Sequence, residues 1–337
     1  MTDPRVAVVG AGSWGTAFAT ITADKGVETT LWARREELAD AISTRHENTE
    51  YLPNIELPPS LSATHDLEKA VATATCVVMA VPSHVFRDTF RQVAPFLPGE
   101  VSVVSLTKGI EQDSHLRMSQ VMHQEGLEAD RVAVVTGPNL AKEIAKRQPA
   151  ATVVACSDED RARDLQGLFM APYFRVYTNP DVTGCELAGA MKNVLAIAAG
   201  IADGMGFGDN AKSSLLTRGL AELARLGSRL GGNPLTFAGL AGMGDLIATC
   251  ISKLSRNRHV GEELGKGRRL DDIMSEMNMV AEGVKTSRPL CQIAEGQGVE
   301  VPISEHVVKV LYDDVSPQDM VLSLMLREAK PEIYGLR

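Results

Sequence analysis

The chain has 337 residues, of which 44% are hydrophobic and 23% charged, and its formal net charge is −9. This length predicts about two domains, and the acidic balance argues against nucleic-acid binding through a general positive field. The most apolar run, residues 187–201, contains Lys192 and Asn193. It is therefore typical of a buried helix, and we expect no integral membrane association.

The cysteines and histidines indicate which cellular compartment the protein occupies and whether it binds a metal. The five cysteines show no CxxC spacing, which indicates a reducing compartment. The first strand starts almost at the N-terminus and leaves no room for a signal peptide, so we expect a cytoplasmic protein. The seven histidines show neither HxxH nor HExxH spacing, and we expect no metal site.

The chain opens with a strand, a glycine loop and a helix. The apolar run 5–9 is followed by Gly10-Ala-Gly12-Ser-Trp-Gly15 and then by an alanine-rich stretch. In this dinucleotide-binding fingerprint Gly10 makes the turn, Gly12 admits the pyrophosphate, and Gly15 lets the helix approach the strand. The first N–H groups of the helix then face the phosphate charge. The alternative is a plain glycine turn between a core strand and a helix.

Two arginines follow the second strand, residues 27–33. Arg34 and Arg35 stand about 20 residues beyond the glycine loop, where an NAD site usually carries an acidic residue for the ribose hydroxyl. An arginine fork suits a 2′-phosphate instead, which favours NADP over NAD. An exposed basic turn before a helix is the alternative.

Strands and helices alternate up to residue 179, which predicts an α/β domain with a doubly wound, mostly parallel sheet. Residues 46–64, which contain three prolines, are interpreted as a loop. The predicted strands are 5–9, 27–33, 76–81, 101–106, 132–136, 150–155 and 174–177.

Two loops follow strands at the edge where such sheets bind ligands. Lys108 comes just after the strand 101–106. Gly137-Pro138-Asn139 comes just after the strand 132–136 and opens a short helix. A solvated turn lysine is the alternative for Lys108.

Beyond residue 179 the pattern is helical throughout. We therefore predict a Rossmann-like domain over residues 1–184 and an all-helical substrate-binding and catalytic domain over residues 185–337. The predicted helices are 181–205, 210–230, 258–266, 282–297, 304–313 and 317–328.

Lys192 lies in the most apolar of these helices, among small residues. Burial lowers the pKa of a lysine, as a lysine acid/base near neutral pH requires. Asp245, among apolar residues, is a candidate partner because buried carboxylates usually have partners. The alternatives are a lysine whose stem reaches solvent and an aspartate that caps a helix.

The densest cationic run in the chain is 253–259. Within it, Ser255, Arg256 and Asn257 begin a helix, where backbone N–H groups, a guanidinium and an amide could hold a phosphate. A solvated basic face is the alternative.

Several motifs together resemble bacterial NAD(P)-dependent glycerol-3-phosphate dehydrogenases over nearly the whole chain. They are 10–17 (GAGSWGTA), 186–194 (ELAGAMKNV), 206–212 (GFGDNAK), 239–250, 254–258 (LSRNR) and 280–284 (VAEGV).

The resemblance implies reversible hydride transfer between NAD(P)H and dihydroxyacetone phosphate, giving sn-glycerol 3-phosphate for glycerophospholipid synthesis. It implies NADPH as the preferred cofactor, NADH as the alternative, and a homodimer. By matching position Lys192 is the catalytic proton donor and acceptor. The substrate positions are Lys108, Gly137, Asn139, Lys192, Asp245, Ser255, Arg256 and Asn257.

The cofactor positions include the three glycines of the loop. Asn139 departs from the family pattern, which commonly has a hydroxyl or another small polar residue there; an amide can still donate a hydrogen bond. The full cofactor set is Gly10, Gly12, Ser13, Trp14, Gly15, Arg34, Arg35, Lys108, Ala141, Arg256, Val280 and Glu282.

Two other functions remain open from the sequence. One is a hydroxyacid or ketopantoate-type reductase, whose substrates carry a carboxylate rather than a phosphate. The other is a non-catalytic NADPH sensor, which would bind cofactor without turnover.

Overall fold

The structure is a computed structural model that describes residues 3–277 and 279–332. The chain forms two compact units. The first contains the residues up to Thr107 together with Met118–Val182, and the second contains Lys108–Arg117 together with the residues from Thr183 onward.

The first unit is built on a sheet of β1 (Arg5–Val9), β2 (Glu28–Trp32), β3 (Leu61–Thr64), β4 (Cys76–Met79), β5 (Ser102–Ser105), β6 (Val132–Thr136), β7 (Ala150–Cys156) and β8 (Phe174–Asn179). Their order is β3-β2-β1-β4-β5-β6-β7-β8. All neighbours are parallel except β6 and β7. The order runs outward on both sides of β1 and β4, which confirms the predicted doubly wound, mostly parallel sheet.

Helices pack on this sheet because its central strands are apolar and buried on both faces. Phe18, Phe169 and Phe174 are fully buried in the core of the unit. The helices are α1 (Ser13–Asp24), α2 (Glu36–Asp40), α3 (Leu67–Val71), α4 (Ser83–Val93), α5 (Met118–Gln124), α6 (Ala141–Ala145) and α7 (Glu159–Phe169).

The prediction of a loop over residues 46–64 is wrong at its end, where Leu61–Thr64 form strand β3. The strand lies at the edge of the sheet and pairs with β2 from Thr29↔Leu61 to Trp32↔Thr64. Only Leu61 in it is fully buried. A four-residue edge strand with polar side chains lacks the apolar run that identifies a central strand.

The second unit is helical, and among the described residues no strand follows β8, which confirms the predicted all-helical part of the fold. The predicted domain boundary between 184 and 185 falls in the first turn of its first helix. The helices are α8 (Val182–Gly204), α9 (Asp209–Arg229), α10 (Pro234–Ala238), α11 (Asp245–Ile251), α12 (Arg256–Gly265), α13 (Leu270–Glu276), α14 (Glu282–Gly296), α15 (Pro302–Tyr312) and α16 (Pro317–Met325).

Helix α8 is the central helix of this unit. Its length and composition would suffice to span a membrane, but its apolar window is wholly buried inside the protein. At Gly261, in α12, an added Cβ would overlap the carbonyl oxygen of Ile197 in α8. At Gly200, in α8, it would overlap the carbonyl oxygen of Arg258 in α12. The two backbones are therefore in direct contact, and this contact fixes the position of the N-terminus of α12 beside α8.

Candidate active site

Four polar side chains of the helical unit converge. Asp245 Oδ1 lies 2.9 Å from Lys192 Nζ, and Asp245 Oδ2 accepts a hydrogen bond from Lys108 Nζ at 2.6 Å. Lys192 Nζ also donates to Thr249 Oγ1 at 2.6 Å, and Thr249 Oγ1 is 3.2 Å from Asp245 Oδ1. The expected pairing of Lys192 with Asp245 is confirmed. The two alternatives are wrong, because Lys192 is buried and Asp245 makes no capping hydrogen bond at the start of α11.

The charges in this cluster do not balance, because one carboxylate faces two amino groups. Burial lowers the pKa of the Lys108 amine to about 8, and the nearby charge of Lys192 acts in the same direction, while Asp245 opposes both. A buried site with excess positive charge stabilises negative charge that develops on a bound molecule. The cluster is thus suited to bind an anion or to protonate an oxygen that becomes negative.

A chain of amides joins the cluster to two other helices. Asn193 Nδ2 donates to the carbonyl oxygen of Lys108 at 3.0 Å. Asn257 Nδ2 donates to Asn193 Oδ1 at 3.0 Å, and Asn257 Oδ1 accepts from the backbone N–H of Gly283 at 2.9 Å. These bonds fix the starts of α12 and α14 next to the residue that follows Lys192. They leave one N–H of Asn257 for a ligand.

Ser255, Arg256 and Asn257 stand at the start of α12, as the sequence predicted, but one of the arginines nearby is already paired with carboxylates. Ser255 caps the helix by accepting from the backbone N–H of Arg258 at 3.2 Å, so its own hydroxyl proton is available to a bound anion. Arg258, however, forms ion pairs with Asp203 at 2.6 Å and with Glu262 at 3.0 Å. Of the two arginines in this run, Arg256 is therefore the better candidate for binding an anion.

Glu282, at the start of α14, lies close enough to Arg256 to influence it. Partial desolvation lowers the pKa of the Arg256 guanidinium, and the charge of Glu282 raises it. Val280 is partly buried just before this helix. The predicted cofactor positions Arg256, Val280 and Glu282 therefore lie at the starts of two neighbouring helices, α12 and α14.

The glycine loop of the α/β unit has the geometry that the fingerprint requires. Gly10 has a φ of +120°, and an added Cβ there would lie 2.9 Å from the carbonyl carbon of Ala80. At Gly15 an added Cβ would overlap the carbonyl oxygen of Gly10, whereas at Gly12 it would meet nothing within 4 Å. The turn, the close helix–strand approach and the open space above Gly12 are all present, and this loop fits a pyrophosphate.

The remaining loop positions pack behind the glycines. Ser13 Oγ donates to the carbonyl oxygen of Tyr51 at 2.8 Å. Trp14 packs edge-on against Phe18, and both Trp14 and Ala141 lie against a small apolar cluster between α1 and α6. Ser13, Trp14 and Ala141 thus shape the wall of the loop.

Arg34 and Arg35 are both exposed but differ in their partners. Arg35 forms an ion pair with Glu50, and this contact raises the pKa of Arg35 and lowers that of Glu50. Within the described ranges Arg34 has no ion pair. A 2′-phosphate would compete with Glu50 for Arg35, but not for Arg34.

Gly137 and Asn139 form a tight loop after β6. Gly137 has a φ of +146°, and an added Cβ would lie 3.1 Å from Thr152 Cα. Asn139 Nδ2 donates to Thr152 Oγ1 at 2.9 Å, and that hydroxyl in turn donates to the carbonyl oxygen of Thr136 at 2.9 Å. Asn139 Oδ1 is buried and has no partner among the described residues. The amide therefore offers an acceptor to a ligand, as well as its second N–H.

The sequence analysis predicts no role for Thr249, which belongs to the cluster, or for Asn193, which hydrogen-bonds to the backbone of Lys108. The signal for Thr249 was its position one helical turn after Asp245, on the same face of α11. The signal for Asn193 was its place in the motif next to Lys192. Among the described residues no group of three or more His, Cys, Asp or Glu side chains could hold a metal ion.

Comparisons with known proteins place this chain among dehydrogenases. Residues 5–162 match the model of the NAD-dependent glycerol-3-phosphate dehydrogenase N-terminus, and residues 181–322 match that of the C-terminus. The glycerol-3-phosphate dehydrogenase [NAD(P)+] of Thermobifida fusca is 53% identical over 98% of this chain and 99% of its own length.

Solved structures agree with these matches. The glycerol-3-phosphate dehydrogenase of Coxiella burnetii is similar with a TM-score of 0.91 and 36% identity, over 96% of this chain and 99% of that one. The enzyme of Saccharomyces cerevisiae gives a TM-score of 0.81 and 28% identity, over 94% and 98%. The chain therefore belongs to the NAD-dependent glycerol-3-phosphate dehydrogenase family.

Proposed function

We propose that this protein is an NAD(P)-dependent oxidoreductase that interconverts dihydroxyacetone phosphate and sn-glycerol 3-phosphate, and that it supplies glycerophospholipid synthesis. The observation that carries the mechanism is the buried cluster of Lys108, Lys192, Asp245 and Thr249. Family membership supports the substrate, and the glycine loop supports the cofactor.

The nicotinamide cofactor, when bound, supplies the hydride. Its pyrophosphate fits the loop at Gly12, where the backbone is open and the first N–H groups of α1 are available. Trp14 and Ala141 line the loop, and the resemblance to the family also assigns Arg256, Val280 and Glu282 to the cofactor.

The substrate phosphate is held by the start of α12. Ser255 can donate its hydroxyl proton, Asn257 retains one N–H, and Arg256 brings a positive charge. The resemblance to the family also assigns Gly137 and Asn139 to the substrate, and the unpartnered Asn139 Oδ1 can accept a hydrogen bond from a ligand hydroxyl. Such anchoring converts a bimolecular encounter into a positioned reaction.

The proton is moved by Lys192. During reduction, negative charge develops on the ketone oxygen, and Lys192 protonates it. Thr249 and Asp245 orient the Lys192 amine, since both lie within hydrogen-bond distance of its Nζ. Lys108 adds positive charge on the other side of Asp245. In the reverse direction, an uncharged Lys192 accepts the proton from the C2 hydroxyl.

The preferred cofactor is NADPH, because Arg34 and Arg35 follow β2 where an acidic residue would favour NAD. The protein acts in the cytoplasm as a homodimer. Rates with NADPH and NADH, compared between the wild type and Arg34→Ala, test the preference. A specificity ratio that does not change in this variant contradicts the role of Arg34.

The first test mixes the purified protein with dihydroxyacetone phosphate and NADPH and follows the loss of reduced nicotinamide absorbance. We expect Lys192→Ala to lower kcat by about a hundredfold or more, the size of a general-acid contribution, while NADPH binding persists. The control is Lys266→Ala, which removes a half-exposed lysine directly after α12 and should leave kcat unchanged. Near-normal turnover of Lys192→Ala removes this lysine from the mechanism.

Two other outcomes separate the remaining functions. Turnover of 2-ketoacids rather than the phosphorylated ketone indicates a hydroxyacid or ketopantoate-type reductase. Tight NADPH binding without turnover of either class indicates a sensor.

A further inference from the structure

Lys108 belongs to a segment that is attached to helix α8 at both ends. At its start, the carbonyl oxygen of Lys108 accepts from Asn193 Nδ2 at 3.0 Å. At its end, Arg117 Nη1 lies 2.6 Å from Glu186 Oε2. Glu186 and Asn193 are roughly two helical turns apart and therefore lie on the same face of α8.

The pair at the end of the segment is well covered by protein. The Glu186 side chain is 4% exposed and that of Arg117 is 17% exposed. An ion pair removed from water to this degree is costly to break, since the remaining partner keeps its charge without compensation. The attachment is thus stronger than that of an ordinary surface pair.

The segment between the two attachments is folded on itself. Ile110 and Arg117 face each other in an antiparallel bridge, and the backbone N–H of Glu111 donates to the carbonyl oxygen of Leu116 at 2.9 Å. Ile110 is 1% exposed in the core of the helical unit. A displacement at Arg117 is therefore passed through the bridge to Ile110, which is two residues from Lys108.

We infer that Glu186, acting through Arg117, is a positioning residue that holds the Lys108 amine against Asp245. This inference rests on the proposed function, in which Lys108 stabilises charge on the substrate oxygen. The contacts that carry this role are the ion pair of Glu186 with Arg117 and the bridge of Arg117 with Ile110 in the folded segment. The same helix thus carries Lys192 and fixes the second lysine of the site.

The test compares Glu186→Gln with wild type in the reduction of dihydroxyacetone phosphate. We expect kcat/KM to fall about tenfold, since a 1 Å misplacement in a reacting site can cost about a hundredfold and we expect a smaller displacement here, while the KM for NADPH stays constant. The control is Glu125→Gln. It breaks the ion pairs of Glu125 with Arg87 and with Arg91, of which the Arg87 pair is also well covered, with side chains 15% and 18% exposed, and it should leave kcat/KM unchanged.

A double-mutant cycle separates positioning from loss of folding. If Glu186 acts through Lys108, then Glu186→Gln has little further effect in a Lys108→Gln background, because the group it positions is absent. In Glu186→Gln the pH above which kcat/KM declines should also increase, because a less confined Lys108 amine is better hydrated and its pKa rises. Where Glu186→Gln does not fold, Arg117→Lys, which keeps the charge and loses the fork, should show the same changes more weakly.

The outcomes are distinct. The inference is overturned if Glu186→Gln lowers kcat/KM by the same factor with and without Lys108, or matches the Glu125→Gln control. An inactive wild-type protein would instead contradict the proposed function itself.

Discussion

Replacing Gly261 by alanine tests how the substrate end of α12 is positioned. The new Cβ would lie 2.8 Å from the carbonyl carbon of Ile197 and 2.9 Å from the backbone nitrogen of Ile201. Ordinary carbon contacts are about 3.5–4.0 Å, so α12 must move away from α8 by about 1 Å. The obstructing atoms belong to the backbone of α8 and cannot rotate aside.

The expected cost follows from two opposing effects. Alanine is favoured over glycine inside a helix by about 1 kcal/mol, whereas overpacking costs about 1–3 kcal/mol and occasionally more. Because the obstruction is backbone, we expect the upper end and a net loss of about 2 kcal/mol in the free energy of unfolding. The shift also stretches the 3.0 Å bond between Asn257 and Asn193, so kcat/KM for dihydroxyacetone phosphate should fall at least tenfold, as for other small misplacements.

Urea unfolding and steady-state kinetics measure both effects. The matched control is Gly167→Ala in α7, where an added Cβ meets nothing within 4 Å and alanine should be neutral or stabilising. A Gly261→Ala protein as stable and as active as this control would refute the reasoning about the helix contact.

Two further predictions concern pH. The Lys108 amine, with a pKa of about 8, stabilises oxygen charge only when protonated, so kcat/KM for the reduction should be level below pH 8 and fall above it. Lys108→Arg stays charged and should lose this limb; a limb that persists assigns it to another group. Glu222 accepts from the backbone N–H of Ile303 at 2.6 Å, but burial raises its pKa from 4.5 to about 7. The folded state therefore binds this proton more readily than the unfolded state. The stabilisation that proton binding at Glu222 contributes is complete below pH 4.5 and is lost as pH rises through 7. The stability of Glu222→Gln relative to wild type should rise by at most about 3 kcal/mol between pH 5 and pH 8 in unfolding experiments, and a constant difference contradicts the assignment.

The candidate site was predictable in part because some of its residues carry local constraints. Gly10 and Gly15 are needed by a turn and a close contact within one β–α unit, so their spacing alone identifies them. Lys192 stood out as a charge in an apolar helix, and Asp245 as a carboxylate that needs a partner. The only sequence signal for Thr249 was its spacing of four residues from Asp245. This signal is weak, because a threonine inside a helix often has no role in a site.

The sequence by itself determined the alternation of strands and helices, the glycine loop, the change to helices near residue 179 and the buried character of α8. These features depend on the periodicity of neighbouring residues. Only the tertiary structure decided that β7 runs antiparallel to β6, that Arg35 pairs with Glu50, and that Lys108 clusters with the helical unit and shares Asp245 with Lys192. Each of these joins residues far apart in the chain, and their proximity depends on how whole elements pack rather than on the pattern within any one of them.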